Sequence, residues 1–519
     1  MQFNRPILIG GLGLSASLWL LDVVNHSIMD GSTLIGAIAV GSGVWWWRKR
    51  FGQDTAAIAA DPPVDRALVE QRLQRVEQIL ATWAEETDTL EAAKQASLRQ
   101  QIDHAEAQRQ QLGDDLDRQQ LAFTIAGEKA VGKTALMSHL NQQWQAPAPY
   151  QVDVKEQVLP DASKDDDAGS LSAKAATPSA DLVIFLTAGD LTDSEFQQLQ
   201  SFVQQGQRFL IGLNKQDSLP PLDRAVVQQQ LQTRLAQLQV ESPVMTLAAA
   251  PKPMKLRRHQ TDGTVEETLT QPEPDTADLQ QYLSQLVRQD AAQLVLETTL
   301  RQAEALRRKV QTQINALKRD RALPIITQFQ WLSGAAAFAN PVPTLDLVAT
   351  AAITAQLIVD LGEVYDRKFS LEQAKTAAGT LASLVIKLGL VELSTEALAG
   401  LLKSNSATYL AGGLIQGVSA AYLTRLAGLG LVEWFEVQTL EDAPQKDLNF
   451  ALENLGERLR TLFEQTKGSL LPTLMQQGLT RWMGAARSLP AGNPPLSLEA
   501  AGATLTTQAD SSTVEFSAP

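Results

Sequence analysis

The chain has no cysteine, few aromatic residues (5%) and only four histidines in 519 residues. Without thiols, disulfide frameworks, thiolate metal sites and Cys nucleophiles are all excluded. His26, His104, His139 and His259 stand singly with no metal-ligand spacing, so each reads as a solvated or core side chain. Positive charge is also scarce. A net charge of −14 and a pI near 4.9 lack the basic footprint of a nucleic-acid binder, and no nucleic-acid partner is expected. The length allows two to four domains with a sizeable core.

Against that background one stretch stands out: Gly127-Glu128-Lys129-Ala130-Val131-Gly132-Lys133-Thr134, directly after the apolar run Leu121–Ala126. Two glycines four residues apart and then Lys-Thr, between a strand-like and a helix-like segment, is P-loop spacing. Glycines let backbone N–H groups close around phosphate, and the N-terminus of the following helix, starting near Ala135, adds partial positive charge. Lys133 would reach the outer phosphates and the Thr134 hydroxyl would ligate Mg²⁺.

Further buried strands are expected at Ala180–Thr187, Arg208–Leu213 and Pro243–Leu247, with helices at Leu191–Gly206 and Ala225–Leu238 between them. Such alternation implies a mostly parallel sheet with helices on both faces. The third strand runs into Asn214-Lys215-Gln216-Asp217. A carboxylate only accepts hydrogen bonds, so Asp217 suits the ring N–H and exocyclic amine of guanine, a pair that adenine does not offer. Asn214 would brace the loop and the base, the Lys215 stem would lie along the ring, and a backbone N–H of Ala248-Ala249-Ala250 would cap the base oxygen.

Two long apolar runs lie near the N-terminus, at residues 6–24 and 33–47. A bilayer crossing takes roughly 17–25 apolar residues in a helix. The Trp45-Trp46-Trp47 trio followed by Arg48-Lys49-Arg50 gives an interfacial belt and then positive-inside charge. Residues 1–50 are therefore expected to form a two-pass transmembrane hairpin with both ends cytoplasmic. In residues 51–118, Val69, Leu73, Val76, Leu80 and Trp83 form a heptad seam, of a coiled stalk or a helical hairpin turning near Glu85–Thr89, or equally of an amphipathic helix packed on its own globular domain. The P-loop domain is bounded at 119–275, with a β-hairpin turning at Asp262-Gly263 near its end. A long connecting helix (276–321) ends in Arg307, Arg308, Lys309, Lys318, Arg319 and Arg321, a solvated face or a contact for anionic lipid. Residues 322–445 are Ala-, Leu- and Gly-rich helices that carry Asp346, Asp360, Lys387 and Arg425. Charges at a helix centre in lipid cost about 2.5–3.5 kcal/mol each, which favours a bundle with a protein core. Amphipathic helices (446–487) and a polar tail (488–519) complete the chain.

Through Gly127–Thr134, Asn214–Asp217 and Ala180–Glu195, residues 119–290 resemble the small-GTPase class of P-loop proteins. With Ala339-Asn340-Pro341-Val342-Pro343-Thr344-Leu345-Asp346, the chain is similar to a bacterial, membrane-associated family that joins such a domain to a C-terminal helical domain of unknown function. The resemblance implies that Gly127 to Thr134 bind phosphates and Mg²⁺, and that Asn214, Lys215 and Asp217 bind the guanine of GTP or GDP. Two elements depart from it. No threonine lies between Thr134 and Thr177, and Asp166-Asp167-Ala168-Gly169 has no strand before it. Asp161, after Val158-Leu159-Pro160, is the candidate second Mg²⁺ ligand, and no catalytic residue is assigned. The expected function is a membrane-anchored GTP-binding switch with slow or partner-stimulated hydrolysis. The alternatives are a dynamin-like membrane-remodelling GTPase that forms homo-oligomers through its helices, and a scaffold with a structural nucleotide site.

Overall fold

The structure, a computed structural model, describes residues 64–157, 179–240, 242–259, 265–339, 343–403, 411–440 and 455–488. The expected membrane hairpin, Asp161, the Asp166–Gly169 run and the tail from residue 489 lie outside them. The chain falls into two compact units, residues 64–234 with 242–519 and residues 1–63 with 235–241. Of the smaller unit, residues 235–240 are described, where a helix ends at Gln237.

In the larger unit, helices α1 (Arg66–Asp88) and α2 (Ala92–Asp114) precede strand β1 (Gln120–Gly127) and helix α3 (Lys133–Gln143). Strands β2 (Gln151–Glu156) and β3 (Leu182–Thr187), helix α4 (Asp193–Gln204) and strand β4 (Phe209–Leu213) come next. Helix α5 (Pro221–Gln237), strand β5 (Val244–Thr246) and the hairpin β6 (Met254–His259) with β7 (Val265–Thr270) complete the α/β part. The sheet order is β2-β1-β3-β4-β5, every pairing parallel.

Period-2 geometry sends alternate side chains of β3 to opposite faces. Leu182, Ile184 and Leu186 join a core with Leu136 and Leu140 of α3 and with Leu279, Leu283, Leu286 and Leu294 beyond the hairpin. Phe185, from the opposite face, meets Phe202 of α4 edge-on with ring centroids 6.4 Å apart. A strand such as β3, buried along its whole length, reads as a continuous apolar run for this reason.

The residues beyond the hairpin belong to helix α6 (Ala277–Ala339), 63 residues long. Its first third covers the sheet and its middle packs on the α1–α2 hairpin. There Val69, Leu73, Val76, Leu80 and Trp83 meet Ile102 and Ala105 of α2 and Leu306, Val310 and Ile314 of α6. The heptad seam is thus used within the chain, and the break between Asp88 and Ala92 falls where the hairpin turn was expected.

The sequence reading ended this helix near Arg321, three residues before Pro324, which removes a backbone donor. The helix instead runs through Pro324, held on both sides by the burial of Ala322, Ile326 and Phe329 in the next core. That core is a bundle of α6 with α7 (Pro343–Val364), α8 (Leu371–Lys387), α9 (Leu390–Lys403), α10 (Ala411–Leu440) and α11 (Leu455–Ser488). Lys387 is exposed, while Asp360 accepts from Gln356 and Arg425 donates to Gln330 Oε1 at 3.1 Å. Among the described residues no single helix is long and apolar enough to cross a membrane. The bent pair of α8 with Leu390–Leu398, at 61°, has that length and composition.

Of the basic residues at 307–321, four are taken up inside the chain. Arg307 is buried and donates to the carbonyl of Leu440 at 2.7 Å, capping α10. Lys318 pairs with Asp366 and Glu86, Arg321 with Glu86, and Arg319 with Glu433 and Glu436. Arg308 and Lys309 stay exposed, so the cluster is split between paired residues in a helix–helix seam and two solvated side chains. Burial in a helix–helix seam accounts for the departure from the sequence reading.

Candidate nucleotide site

Where β1 ends, the backbone turns through left-handed conformations at Gly127 (φ 145°), Ala130 (φ 63°) and Gly132 (φ 101°) before α3 begins. Glycine is required at the first and last of these. A Cβ on Gly127 would lie 2.3 Å from the carbonyl oxygen of Leu186, and one on Gly132 would lie 2.2 Å from Asn214 Nδ2. Glu128, Lys129 and Ala130 are exposed at the crest, whereas Val131 is buried beneath it. The start of α3 leaves backbone N–H groups without intrahelical partners and so makes an anion site.

Lys133, 5% exposed, donates from Nζ to the carbonyls of Gly127 (3.0 Å) and Glu128 (2.7 Å). The loop's own carbonyls thus hold the ammonium over the concavity where phosphate would lie. Thr134 is exposed at the mouth, and its hydroxyl donates to Glu156 Oε2 at 2.7 Å. Glu156 is the last residue of β2, which pairs with β1 in parallel, so the two strands end side by side. Sequence reasoning missed this residue, having read residues 144–179 as a polar connection with its candidate carboxylate at Asp161. The signal was there but short: Val152 and Val154 alternate with polar residues for only six positions.

Asn214, 2% exposed, ties the P-loop to the far side of the sheet. Its Nδ2 donates to the carbonyl of Val131 at 2.7 Å, and its Oδ1 accepts from the Ala249 N–H at 2.9 Å. Lys215 is left-handed (φ 59°), which turns its side chain back so that Nζ donates to the carbonyl of Ala130 at 2.7 Å. Asp217 is exposed and accepts from the Lys252 N–H at 3.0 Å through Oδ2. The three sequence elements are therefore one site. Ala248 and Ala249 take up structural bonds instead of offering free donors. The Ala248 N–H bonds the carbonyl of Asp275, the Ala249 N–H bonds Asn214, and Ala250 is the next N–H in line.

A second group of polar residues borders the P-loop crest. Thr192 and Ser194, at the start of α4, both donate to Glu128 Oε1 at 3.1 Å. Thr192 and Glu195 form a reciprocal capping box. Burial pushes the Glu195 carboxyl above its usual range, with the nearby Glu128 and Asp190 adding to the shift and the bonds from Thr192 opposing it. A cleft of about 910 Å³ opens elsewhere, lined by Gln119, Gln120, Gln151 and Asp153 at the starts of β1 and β2. The candidate site is thus marked by its backbone donors rather than by cavity size.

Its residues fit a nucleotide with Mg²⁺. A lysine caged by loop carbonyls, two glycines with no room for a Cβ and a hydroxyl–carboxylate pair of hard oxygen donors are what phosphates and a small cation require. A parallel sheet with a P-loop on its first strand and Asn-Lys-x-Asp after its fourth in the order is an arrangement shared with P-loop proteins of the GTPase class. Residues 301–461 match the family described as "Domain of unknown function (DUF697)". The chain thus joins an α/β part with a P-loop to a C-terminal helical domain similar to DUF697.

No curated protein matches the chain. Two structures of an oligomerised bacterial dynamin pair, described as providing a mechanism for the long-range sensing and tethering of membranes, align at 10% and 9% identity. They cover 77% and 88% of this chain and 79% and 98% of theirs, with TM-scores of 0.23 and 0.27. LeoA, a bacterial dynamin GTPase from ETEC, aligns at 10% identity over 79% of this chain and 98% of its own, with a TM-score of 0.21. Alignments that loose carry no argument about the chemistry of this chain.

Proposed function

We propose that the chain binds GTP and GDP with Mg²⁺ and acts as a nucleotide-dependent switch, a slow or partner-stimulated GTPase anchored to the cytoplasmic face of a membrane by residues 1–50. The observation that carries the guanine reading is the pair of hydrogen bonds of buried Asn214, one donated to the Val131 carbonyl and one accepted from the Ala249 N–H, which ties the loop bearing Asp217 to the phosphate loop. Gly127 to Ala135 surround the phosphates, Lys133 neutralises their charge, and Asp217 reads the two donors of guanine. Ala250 offers its N–H to the base oxygen. Thr134 and Glu156 hold the cation, with Asp161 as the sequence-based alternative to Glu156. Bound Mg²⁺ supplies charge neutralisation on the outer phosphates. The anchor rests on the sequence of residues 1–50, with its paired apolar runs and flanking Arg48-Lys49-Arg50.

Calorimetric titration of GDP, GTP and ATP into the full chain with Mg²⁺ tests this reading. The guanine nucleotides are expected to bind and ATP to bind far more weakly, with the preference lost in Asp217→Asn. No affinity for any purine nucleotide, or an unchanged preference in that variant, overturns the proposal. Turnover raised by liposomes together with nucleotide-dependent oligomers would move the reading to membrane remodelling. A Lys133→Ala variant that only lowers the melting temperature would move it to a structural nucleotide site.

A further inference from the structure

Three lysines stand at the phosphate loop, and two of them are engaged by it. Lys133 is caged by the carbonyls of Gly127 and Glu128, and Lys215 donates to the carbonyl of Ala130. The third, Lys129, is exposed on the crest, and its side chain has no hydrogen-bond or ion-pair partner among the described residues. A solvated lysine is ordinary, but this one has a carboxylate as its neighbour in the chain. Glu128 does not pair with it. Its Oε1 instead accepts from the hydroxyls of Thr192 and Ser194, both at 3.1 Å. The start of α4 thus draws the acid of the crest to itself and leaves the adjacent ammonium uncompensated.

The direction of the loop decides which part of a nucleotide that ammonium meets. Bonds from the Asn-Lys-x-Asp segment land on two carbonyls, that of Ala130 from Lys215 and that of Val131 from buried Asn214. The base end of the loop is therefore at Ala130 and Val131. Lys129 comes before both, on the side of the loop that Glu128 ties to α4. A phosphate chain that starts from the base and crosses the loop brings its last member toward Lys129. Ordering a mobile lysine is costly, and a fixed, charged acceptor such as a terminal phosphate offsets that cost.

We infer that Lys129 reads the third phosphate: its ammonium closes on the γ-phosphate of GTP and has no counterpart to contact in GDP. This rests on the nucleotide reading above and deepens it, by giving the discrimination between the two nucleotides to one side chain. A flexible four-carbon stem ending in a compact charge with three donors suits the oxygens at the free end of a phosphate chain. Lys133, held by the loop carbonyls, serves both nucleotides alike.

Calorimetry on the full chain with Mg²⁺, using GDP and a non-hydrolysable GTP analogue, tests this in the parent, Lys129→Met and Lys129→Arg. The side chain is exposed and unbonded within the fold, so neither substitution puts folding at stake. Lys129→Met should weaken the analogue roughly tenfold or more, the scale of one charge-assisted hydrogen bond, and leave GDP within about twofold of the parent. Lys129→Arg keeps the cation and should bind the analogue nearly as the parent does. The inference falls if Lys129→Met weakens neither ligand, or weakens both by the same factor. It falls too if Lys129→Arg loses as much as Lys129→Met, since charge would then not be what is read. A parent chain that binds neither nucleotide sinks the nucleotide reading and this inference together. Parent-like binding of both ligands in Lys129→Met sinks this inference alone.

Discussion

Under the proposed reading, Glu156 is the residue on which cation binding at the site turns. It shares a hydrogen with Thr134 at the mouth of the P-loop, and a neutral amide there keeps the shape while halving the oxygen donors and removing the charge. Glu156→Gln is expected to raise the Mg²⁺ concentration for half-maximal GTP binding by about tenfold, the cost of one charged contact. Binding in EDTA should be unchanged. Titrating Mg²⁺ against a fluorescent GTP analogue measures both. Glu195 behaves differently, because burial raises its folded pKa above the unfolded value of about 4.3. Its charged form is thus disfavoured in the fold. The penalty is full above the folded pKa and vanishes below the unfolded one, where both states hold the proton. Glu195→Gln keeps a capping acceptor at the same position. It should therefore raise the melting temperature at pH 7 and lose that advantage as the pH is lowered to 4, a difference that calorimetric scans at the two pH values will read.

At the scale of elements, the bond between the sheet and its surrounding helices passes through Asp181, at the start of β3. Its carboxylate, fully buried, accepts from the Ala122 N–H at 2.8 Å and from Arg118 at 2.9 Å. Arg301 of α6 donates to the neighbouring carbonyl of Ala180, its pKa pulled down to about 10 by burial while Asp181 and Glu297 hold it up. Removing the carboxylate takes the ion pair from Arg118 and the nearby negative charge from buried Arg301. Asp181→Ala is expected to cost about 3–5 kcal/mol, the range for breaking a buried pair from one side, measurable by urea titration. The same strand shows what was legible beforehand. β1, β3 and β4 are continuous apolar runs because both faces are covered, and a run of that kind announces itself. β2 sits at the sheet edge with one buried side chain, Val154, so its sequence carries almost no period. That is why Glu156 went unseen while Lys133 and Asn214 did not. Motif residues are constrained by phosphate and base geometry, whereas an edge strand is constrained only by its partner. The end expected near Arg321 failed for a related reason, since burial on both sides of Pro324 carries the helix through it.

For the whole molecule the question is whether the P-loop and the helical domain act together. α6 belongs to three cores in turn: Leu279 to Val295 in that of the sheet, Leu306 to Ile314 with the α1–α2 hairpin, and Ala322 to Trp331 in the bundle. A switch must change the state of something distant when nucleotide is exchanged. Hydrogen exchange on the full chain is expected to show protection differing between GDP and a non-hydrolysable GTP analogue beyond residue 322, in α8, α9 or α10. Differences confined to Gly127–Thr134 and Asn214–Ala250 would instead identify a nucleotide that merely holds the α/β part together. The anionic balance of the chain works at this scale too, since a net charge of −14 opposes approach to an acidic bilayer unless the apolar runs near the N-terminus supply the attraction.

One span of backbone gives that experiment its mechanical meaning. At 1.5 Å per residue, the unbroken stretch from Ala277 to Ala339 is about 95 Å from end to end. A tilt of about 5° where it rests on the sheet sweeps its far tip through about 8 Å, more than the pitch of one turn. Under the proposed reading, a displacement small beside a bound phosphate would arrive at Pro324 and beyond as the travel of a lever arm.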